Sequence, residues 1–285
     1  MTEYQMKAYA KINLGLDVLG KLENGYHEVK MVMQTVGICD VLELKRSGSG
    51  IVVTTDSGEL PTDENNLIFK AAKLMRERYH IADGIRIHLA KNIPIAAGMA
   101  GGSTDAAATL KGINRMFELG ATPEELMELG VKIGADVPYC VLGGTALAEG
   151  IGEKLTALTP VPKCTLLVAK PDINVSTKYV YEHLDAAENL KHPDIDGMVE
   201  AIALGSLQGI LERFGNVLET VTIPAYPVIA RIKERMLSLG SVGSLMSGSG
   251  PTVFGVYLDK ATAQTAAEAI RDEGLAGQIY VTETC

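Results

Sequence analysis

The sequence of 285 residues lacks any uninterrupted apolar run of the roughly 18 residues that a membrane-spanning helix needs. Its first segment, MTEYQMKAYAKINLG, also lacks the apolar stretch of roughly 7–15 residues that is typical of a secretory signal peptide. We therefore expect neither membrane insertion nor secretion.

Cysteine is scarce and scattered. The sequence contains no C-x-x-C pair and no histidine at metal-ligand spacing from its four cysteines, which are Cys39, Cys140, Cys164 and Cys285. Such a pattern favours neither a disulfide framework nor a zinc site, so we expect a reduced, cytoplasmic protein.

Positive charge is also in short supply. The 35 acidic residues outnumber the 26 basic ones, which gives a net charge of −9, and no long Lys/Arg run is present. Nucleic acid and anionic membranes are therefore excluded as expected partners. A small anionic substrate would need locally placed cations and backbone amides.

What the sequence does contain is a mixture of strand and helix patterns. With 47% hydrophobic residues it can bury a large core, and its length favours two domains. Apolar residues alternate with polar ones over 12–18, which predicts a half-buried strand. Further strands are expected at 32–36, 41–44, 51–55, 85–89, 165–169 and 278–282.

Helices are expected at 67–79 and 261–272, and two more follow a glycine-rich segment. Ala106, Leu110, Ile113 and Phe117 share one helical face. The segment that begins at Thr122, TPEE, predicts a helix start with a capping box. Periodicity is lost over 156–163, so we place the domain boundary there, giving domains 1–158 and 159–285.

The glycine-rich segment itself, PIAAGMAGGSTDAAA at 94–108, stands where a strand-like stretch turns into a helix. Small side chains let backbone N–H groups reach a ligand, and a helix N-terminus favours an anion. Phosphate is the expected ligand. The alternative interpretation is a simple turn in which Asp105 caps the helix.

This segment fits neither a Walker motif nor the G-x-G-x-x-G of a dinucleotide fold. It resembles the second motif of the GHMP kinase superfamily. The other two motifs of that superfamily stand in the expected order, as KINL from Lys11 and SGSGPTVF from Ser247. Taken singly, Lys11 could be a solvated strand-edge lysine and the later glycines a plain hairpin turn.

The resemblance implies an α+β fold with a ribosomal-protein-S5-like N-terminal domain and a ferredoxin-like C-terminal domain. It also implies an ATP-dependent kinase of a small hydroxylated metabolite, with Mg²⁺ as a cofactor. The nucleotide-binding residues that it implies are Pro94, Ile95, Ala96, Ala97, Gly98, Met99, Ala100, Gly101, Gly102, Ser103, Thr104, Asn66 and Lys91. Either Ser103 or Thr104 would approach the magnesium ion.

Two further segments, GYHE from Gly25 and GADVPY from Gly134, resemble a branch of the superfamily with a cytidine-diphosphate-linked sugar alcohol as substrate. Lys11 and Asp136 are then the implied catalytic pair. The implied substrate-binding residues are Asn13, Tyr26, His27, Tyr181, Gly248, Ser249 and Gly250, with Tyr179 as the second choice for the aromatic that stacks on cytosine.

Alternative interpretations exist both for the roles of these residues and for the activity. Asp136 is also placed to cap a short helix, and a lone histidine such as His27 is often an ordinary surface-turn residue. Other activities of the same fold include phosphorylation of homoserine or a mevalonate derivative and an ATP-dependent decarboxylation. A non-catalytic nucleotide sensor is the alternative from another class. We expect a monomer or a weak homodimer.

Overall fold

The computed structural model of the chain describes residues 3–187 and 190–285. The first of its two compact units comprises the segment that ends at Ala10, Ile38–Ile95 and Ala100–Gly143. The second comprises Lys11–Gly37, Ala96–Met99 and Gly144–Cys285. The two units therefore alternate along the chain, and the domain division after residue 158 stays a prediction.

Two long strands, β1 (Glu3–Lys21) and β2 (His27–Ser47), contribute residues to both units. In the first unit, β3 (Ile51–Thr55) pairs in parallel with β4 (Gly84–Ala90). Strand β4 pairs antiparallel with the second half of β2. Ile87 lies opposite both Val53 and Leu44, and all three are buried, so the register places one aliphatic row in the core.

The helices of the first unit are α1 (Leu67–Arg78), α2 (Gly101–Phe117), α3 (Pro123–Val131) and α4 (Val137–Leu142). They pack on the strands around one apolar core. Leu110 and Ile113 of α2 are fully buried there, which confirms the predicted helical face. Thr122 and Glu125 form the predicted capping box at the start of α3.

The strands of the second unit are β5 (Thr145–Glu149), β6 (Lys154–Ala157), β7 (Thr165–Lys170), β8 (Gly215–Asn216), β9 (Gly243–Met246), β10 (Val253–Tyr257) and β11 (Gln278–Glu283). Strand β5 pairs with the first half of β2 and with β6. Strand β8 pairs in parallel with β1 at Gly15 and Leu16. A separate antiparallel sheet has the order β11-β7-β10-β9.

The helices of this unit are α5 (Thr177–Leu184), α6 (Ile195–Ala203), α7 (Leu207–Leu211), α8 (Glu219–Ala225), α9 (Val228–Ser238) and α10 (Lys260–Asp272). Asp259 caps α10 by accepting a hydrogen bond from the Thr262 amide. The predicted helix at 261–272 and the predicted strand at 278–282 are both confirmed.

The strand predicted at 12–18 is present, but the half-buried alternation predicted for it is wrong. Asn13 and Asp17 are buried along with the apolar residues between them. A Cβ atom at Gly15 would lie 2.7 Å from Cδ1 of Ile195, because α6 packs directly on the strand there. The polar face of β1 is therefore covered by protein. Within the described ranges, no helix is long and apolar enough to cross a membrane.

Candidate active site

The glycine-rich segment turns sharply before it becomes helix α2. Gly98 has φ +71°, and Ala96 and Ala100 also lie in the left-handed region, at φ 51° and 56°. Ala100 is the N-cap residue of α2, and no side chain among the described residues caps this helix. Asp105 is therefore not the predicted alternative cap. The first amides of α2 are left for another acceptor, and an anion suits them.

The carbonyl oxygen of Gly98 is the meeting point of the three sequence motifs within the second unit. The Lys11 ammonium donates to it across 3.2 Å, and the Ser247 hydroxyl donates across 3.0 Å. The backbone amide of Lys11 also donates to the carbonyl of Met99. Segments more than 80 residues apart in sequence are thus fixed on one peptide group.

Only glycine fits at position 98, for two reasons. A Cβ atom there would overlap the carbonyl oxygen of Ser247. The positive φ of Gly98 is also unfavourable for any L-residue with a side chain. Gly248, with φ 58°, also lies close to this peptide, since a Cβ on it would lie 3.1 Å from the Gly98 oxygen. Two glycine loops therefore pack backbone to backbone.

Lys11 lies inside β1 and is buried, so the solvated-edge interpretation of it is wrong. Its ammonium donates to Oδ1 of Asn13 at 2.8 Å as well as to Gly98. The Asn13 amide in turn contacts the Met31 sulfur at 3.2 Å. No carboxylate of the described second unit lies within ion-pair distance of Lys11, so its positive charge stays available for an anionic ligand.

The loop Gly248–Gly250 is held by residues that the sequence reasoning missed. The Asn216 amide donates to the carbonyls of Met246 and Gly248, at 2.8 and 2.7 Å. The Ser249 and Thr177 hydroxyls are hydrogen-bonded at 2.9 Å. The loop connects the antiparallel strands β9 and β10, so it is a hairpin turn as the alternative interpretation has it, but a buried one that packs against Gly98. Asn216 follows a glycine in an apolar stretch, and nothing in the sequence around it marks it as a partner of this loop.

Asp136, in the first unit, precedes helix α4. It occupies the N-cap position, but its carboxylate makes no capping hydrogen bond to any residue that the structure describes. The interpretation of Asp136 as a purely structural helix cap is therefore wrong. The half-buried carboxylate is available to a substrate hydroxyl.

Lys91 lies beneath the start of α2 in a buried ionic cluster with Asp40 and Asp105. Asp40 accepts from the Lys91 ammonium and from the amides of Asn92 and Ile93. Asp105 lies 3.6 Å from the same ammonium, and its Oδ1 has no partner among the described residues. Burial raises the pKa of Asp105 to about 8 against the opposing attraction of Lys91, and the charge of Asp40 adds to the increase.

Lys91 and Asn66, both implied to bind nucleotide, make internal contacts. A Cβ atom on Gly101 would lie 3.0 Å from the Lys91 nitrogen, so this ammonium lies directly against the first turn of α2. Asn66 caps α1, because its Oδ1 accepts from the Ile68 amide while its Nδ2 donates to Pro61. Direct contact of either side chain with nucleotide stays a prediction.

The two hydroxyls at the start of α2 differ in their surroundings. The Thr104 hydroxyl is buried and donates to the carbonyl of Tyr9 at 2.7 Å. The Ser103 hydroxyl is half-buried and makes no hydrogen bond to any residue between 3 and 187 or between 190 and 285. Of the two, Ser103 is the more accessible to a metal ion, because the Thr104 hydroxyl is buried against β1.

A second polar group, in the second unit, involves His27 at the start of β2. Its Nε2 lies 2.7 Å from Oδ1 of Asp185, and its ring centroid lies 4.8 Å from that of Tyr181. The neighbouring Tyr26 is exposed. Tyr179 instead stacks on His183, with centroids 3.8 Å apart. The surface-turn interpretation of His27 is wrong, since only 10% of its side chain is exposed.

No group of three or more His, Cys, Asp or Glu side chains that could hold a metal ion occurs in the described part of the chain. Magnesium in a nucleotide site keeps water and phosphate oxygens as most of its ligands, so such a cluster is not needed. The Ser103 hydroxyl fits this role as a single additional oxygen.

Comparison with known families assigns the class. The model of the GHMP kinases N terminal domain matches residues 66–144, and that of the GHMP kinases C terminal domain matches residues 186–275. The chain belongs to the GHMP kinase family and is a small-molecule kinase that uses ATP. The predicted α+β GHMP kinase fold and the predicted enzyme class are confirmed.

Individual relatives narrow the class. A protein of Lachnospira eligens named 4-diphosphocytidyl-2-C-methyl-D-erythritol kinase is 55% identical over 100% of this chain and 99% of its own length. A crystal structure of 4-(cytidine 5'-diphospho)-2C-methyl-D-erythritol kinase matches with a TM-score of 0.84 and 32% identity, covering 99% of both chains. Homoserine kinase from Cytophaga hutchinsonii has the same fold, with a TM-score of 0.77 at 22% identity over 98% of this chain and 94% of its own.

Proposed function

We propose that this chain transfers the γ-phosphoryl group of ATP to a hydroxyl of 4-diphosphocytidyl-2-C-methyl-D-erythritol, in the methylerythritol phosphate route to isoprenoid precursors. The observation that carries the proposal is that Lys11 and Ser247 both donate to the carbonyl of Gly98, which brings the three sequence motifs together. That arrangement fixes a buried cation on a glycine-rich segment, and a transferring phosphoryl group needs positive charge held in a fixed position.

The substrate part of the proposal rests on relatives and on the His27 region. The full-length relative and the similar crystal structure both carry this substrate in their names. His27 and Tyr181 provide a hydrogen-bonding ring edge beside an aromatic face, which suits a pyrimidine base. We assign the stacking role to Tyr181, because its ring lies beside His27, whereas the ring of Tyr179 lies against His183.

Asp136 and Lys11 have distinct roles in the proposed transfer. An aliphatic alcohol resembles water and is a far weaker acid than an aspartic acid. Each unit of pKa difference corresponds to about 1.4 kcal/mol, so removal of the proton before attack would cost too much. We therefore infer that Asp136 orients the hydroxyl and accepts its proton late, as the O–P bond forms. Lys11 stabilises the negative charge of the transferring group.

Magnesium would be held by the nucleotide phosphates and the Ser103 hydroxyl, and it would neutralise charge on the β- and γ-phosphates. The other residues of the loop bind the triphosphate through backbone amides. We further propose a monomer or weak homodimer in the cytoplasm. Light scattering over a range of concentrations checks the first statement.

Incubation with ATP, Mg²⁺ and the cytidine-diphosphate substrate, followed by phosphorus NMR, tests the activity. A new phosphomonoester signal is expected together with ADP. Product formed instead from homoserine or mevalonate would contradict the substrate assignment, and nucleotide binding without any product would support the sensor alternative.

Asp136→Asn tests the mechanism separately. We expect kcat to fall about 10²- to 10⁴-fold while ATP affinity stays within two-fold, because the amide cannot accept the proton. Asp83→Asn, which changes an exposed aspartate of the same unit, is the matched control with unchanged kcat. A variant Asp136→Asn with wild-type kcat would rule out the assigned role.

A further inference from the structure

The carboxylate of Asp185, at the C-terminal end of α5, binds two side chains of the second unit, His27 and Lys21. Its Oδ1 lies 2.7 Å from Nε2 of His27, and its Oδ2 lies 2.6 Å from the Lys21 ammonium. Both oxygens are thus used, each by a different partner. The hydrogen bonds from Lys21 and then from His27 lower the pKa of Asp185, so the carboxylate stays ionised.

An ionised carboxylate can only accept hydrogen bonds, so Nε2 of His27 must carry a proton. In a neutral imidazole the other nitrogen, Nδ1, then has a lone pair and no proton. Nδ1 makes no hydrogen bond to any residue in the described ranges, although the side chain is nine-tenths buried. The ring therefore presents one unpaired acceptor next to the Tyr181 ring.

We propose that Asp185 is a positioning residue that fixes the His27 ring as the Nε2-protonated tautomer, so that Nδ1 accepts from the exocyclic amine of a cytosine base. This inference rests on the proposed function and adds the selection of cytosine over uracil to it. Lys21 takes part indirectly, because its ammonium fixes the second carboxylate oxygen.

The selectivity follows from the polarity of the two pyrimidines. Cytosine has an amino group at C4, which donates, whereas uracil has a carbonyl oxygen at the same position, which only accepts. Opposite an acceptor nitrogen, the uracil oxygen would leave two lone pairs facing each other and both groups unpaired. A buried, unpaired acceptor is costly, so the uridine form of the substrate is rejected.

The tautomer can be measured directly by ¹⁵N NMR on histidine-labelled protein without substrate. The chain has five histidines, and loss of one signal set in His27→Gln assigns that residue. At a pH where the spectrum shows a neutral ring, we expect a proton on Nε2 and a bare Nδ1. A proton on Nδ1 in the wild-type protein would overturn the proposal, whatever the activity.

Asp185→Asn should exchange the protonated and unprotonated nitrogens of the His27 ring. Lys21 has only donors, so it will bind the amide oxygen and turn the NH₂ group toward His27. Nε2 then becomes the acceptor and the proton moves to Nδ1. We expect kcat/KM for the cytidine substrate, relative to its uridine counterpart, to fall at least about ten-fold, mainly through KM. An Asp185→Asn variant with an unchanged tautomer or an unchanged substrate ratio would contradict the proposal.

Asp196→Asn is the matched control, because Asp196 also forms a 2.6 Å surface ion pair, with Lys30, in the same unit. It should change neither the His27 signals nor the substrate ratio, and an equal change there would show that any lost surface charge has this effect. Failure of the proposed function is recognised differently, as a wild-type protein that phosphorylates neither the cytidine nor the uridine compound.

Discussion

The Ser247 hydroxyl donates a hydrogen bond to the carbonyl oxygen of Gly98, with 3.0 Å between the two oxygens. The same peptide oxygen accepts from Lys11. Because the Ser247 backbone also approaches Gly98 more closely than a side chain would allow, this contact depends on glycine. Lys11, the proposed catalytic lysine, is thus held in part by a residue that has no side chain.

Gly98→Ala should therefore be strongly destabilising. A left-handed φ costs an alanine about 1–2 kcal/mol, and the overlap with Ser247 adds further strain. Gly120→Ala is the matched control, because Gly120 has φ +69° and nothing described lies within 4 Å of its added Cβ. Urea unfolding should show a loss near 1–2 kcal/mol for the control and at least about 1 kcal/mol more for Gly98→Ala. Equal losses would mean that the contact with Ser247 relaxes freely.

Substitutions at Ser103 and Thr104 should distinguish a metal contact from a structural hydrogen bond. Ser103→Ala should leave stability within about 0.5 kcal/mol but raise the Mg²⁺ concentration needed for half-maximal turnover. Thr104→Val should cost about 1–3 kcal/mol, because the Tyr9 carbonyl loses its donor, and should leave the Mg²⁺ dependence unchanged. The reverse pattern in a Mg²⁺ titration would assign the contact to Thr104.

Asp105 should make stability fall as pH rises. Its pKa is raised from 3.8 to about 8 in the folded protein, so folding binds a proton. The associated stability is complete below pH 3.8, is lost progressively up to about pH 8 and is constant above it. In the variant Asp105→Asn, the side chain at this position stays neutral at every pH. The free energy of unfolding of this variant should therefore rise relative to that of the wild type, by at most about 1.4 kcal/mol per pH unit across this window.

Unfolding of both proteins by urea at intervals from pH 5 to pH 9 measures this difference. Asp83→Asn, on the surface, should follow the wild-type curve. A constant difference between Asp105→Asn and the wild type would show that Asp105 is ionised throughout.

Asn216 should affect catalysis as well as stability. Asn216→Ala removes two donors from the loop at Gly248 and should cost about 2–3 kcal/mol while raising the KM for substrate several-fold. Asn114→Ala breaks two hydrogen bonds in the other unit, both to Ala121, against three for Asn216, whose Oδ1 also accepts from the Leu218 amide. The control should lose similar stability with unchanged KM. A similar change of KM in both variants would indicate a general effect of destabilisation.

Local features of the fold were predictable from the sequence. The capping box at Thr122 and Glu125 and the apolar face of α2 depend on residues three or four positions apart, and both are present. Strand β2 was predicted as two strands, because Gly37 and Asp40 interrupt its apolar pattern. Gly37 instead makes room for Thr282, and Asp40 is satisfied by Lys91, so both causes are distant in sequence.

The same distinction explains the candidate site. The three motifs carry their own signal in glycines and a lysine, so Lys11, Gly98 and Ser247 could be found together. Asp185 acts through His27, which is 158 residues away, and Asn216 through a loop about 30 residues away. Neither residue belongs to a short pattern, and a single sequence does not reveal such partners.

The paired strands β1 and β8 are synthesised far apart in time. Gly15 finds its partner at Gly215, which is made 200 residues later, and the covering Ile195 arrives only slightly earlier. At roughly 5–20 residues per second, the ribosome needs on the order of 10–40 seconds to make that interval. During this time the apolar strand around Ile12, Leu14 and Leu16 has β2 beside it but neither β8 nor α6, so one edge and one face of the strand stay uncovered for that interval.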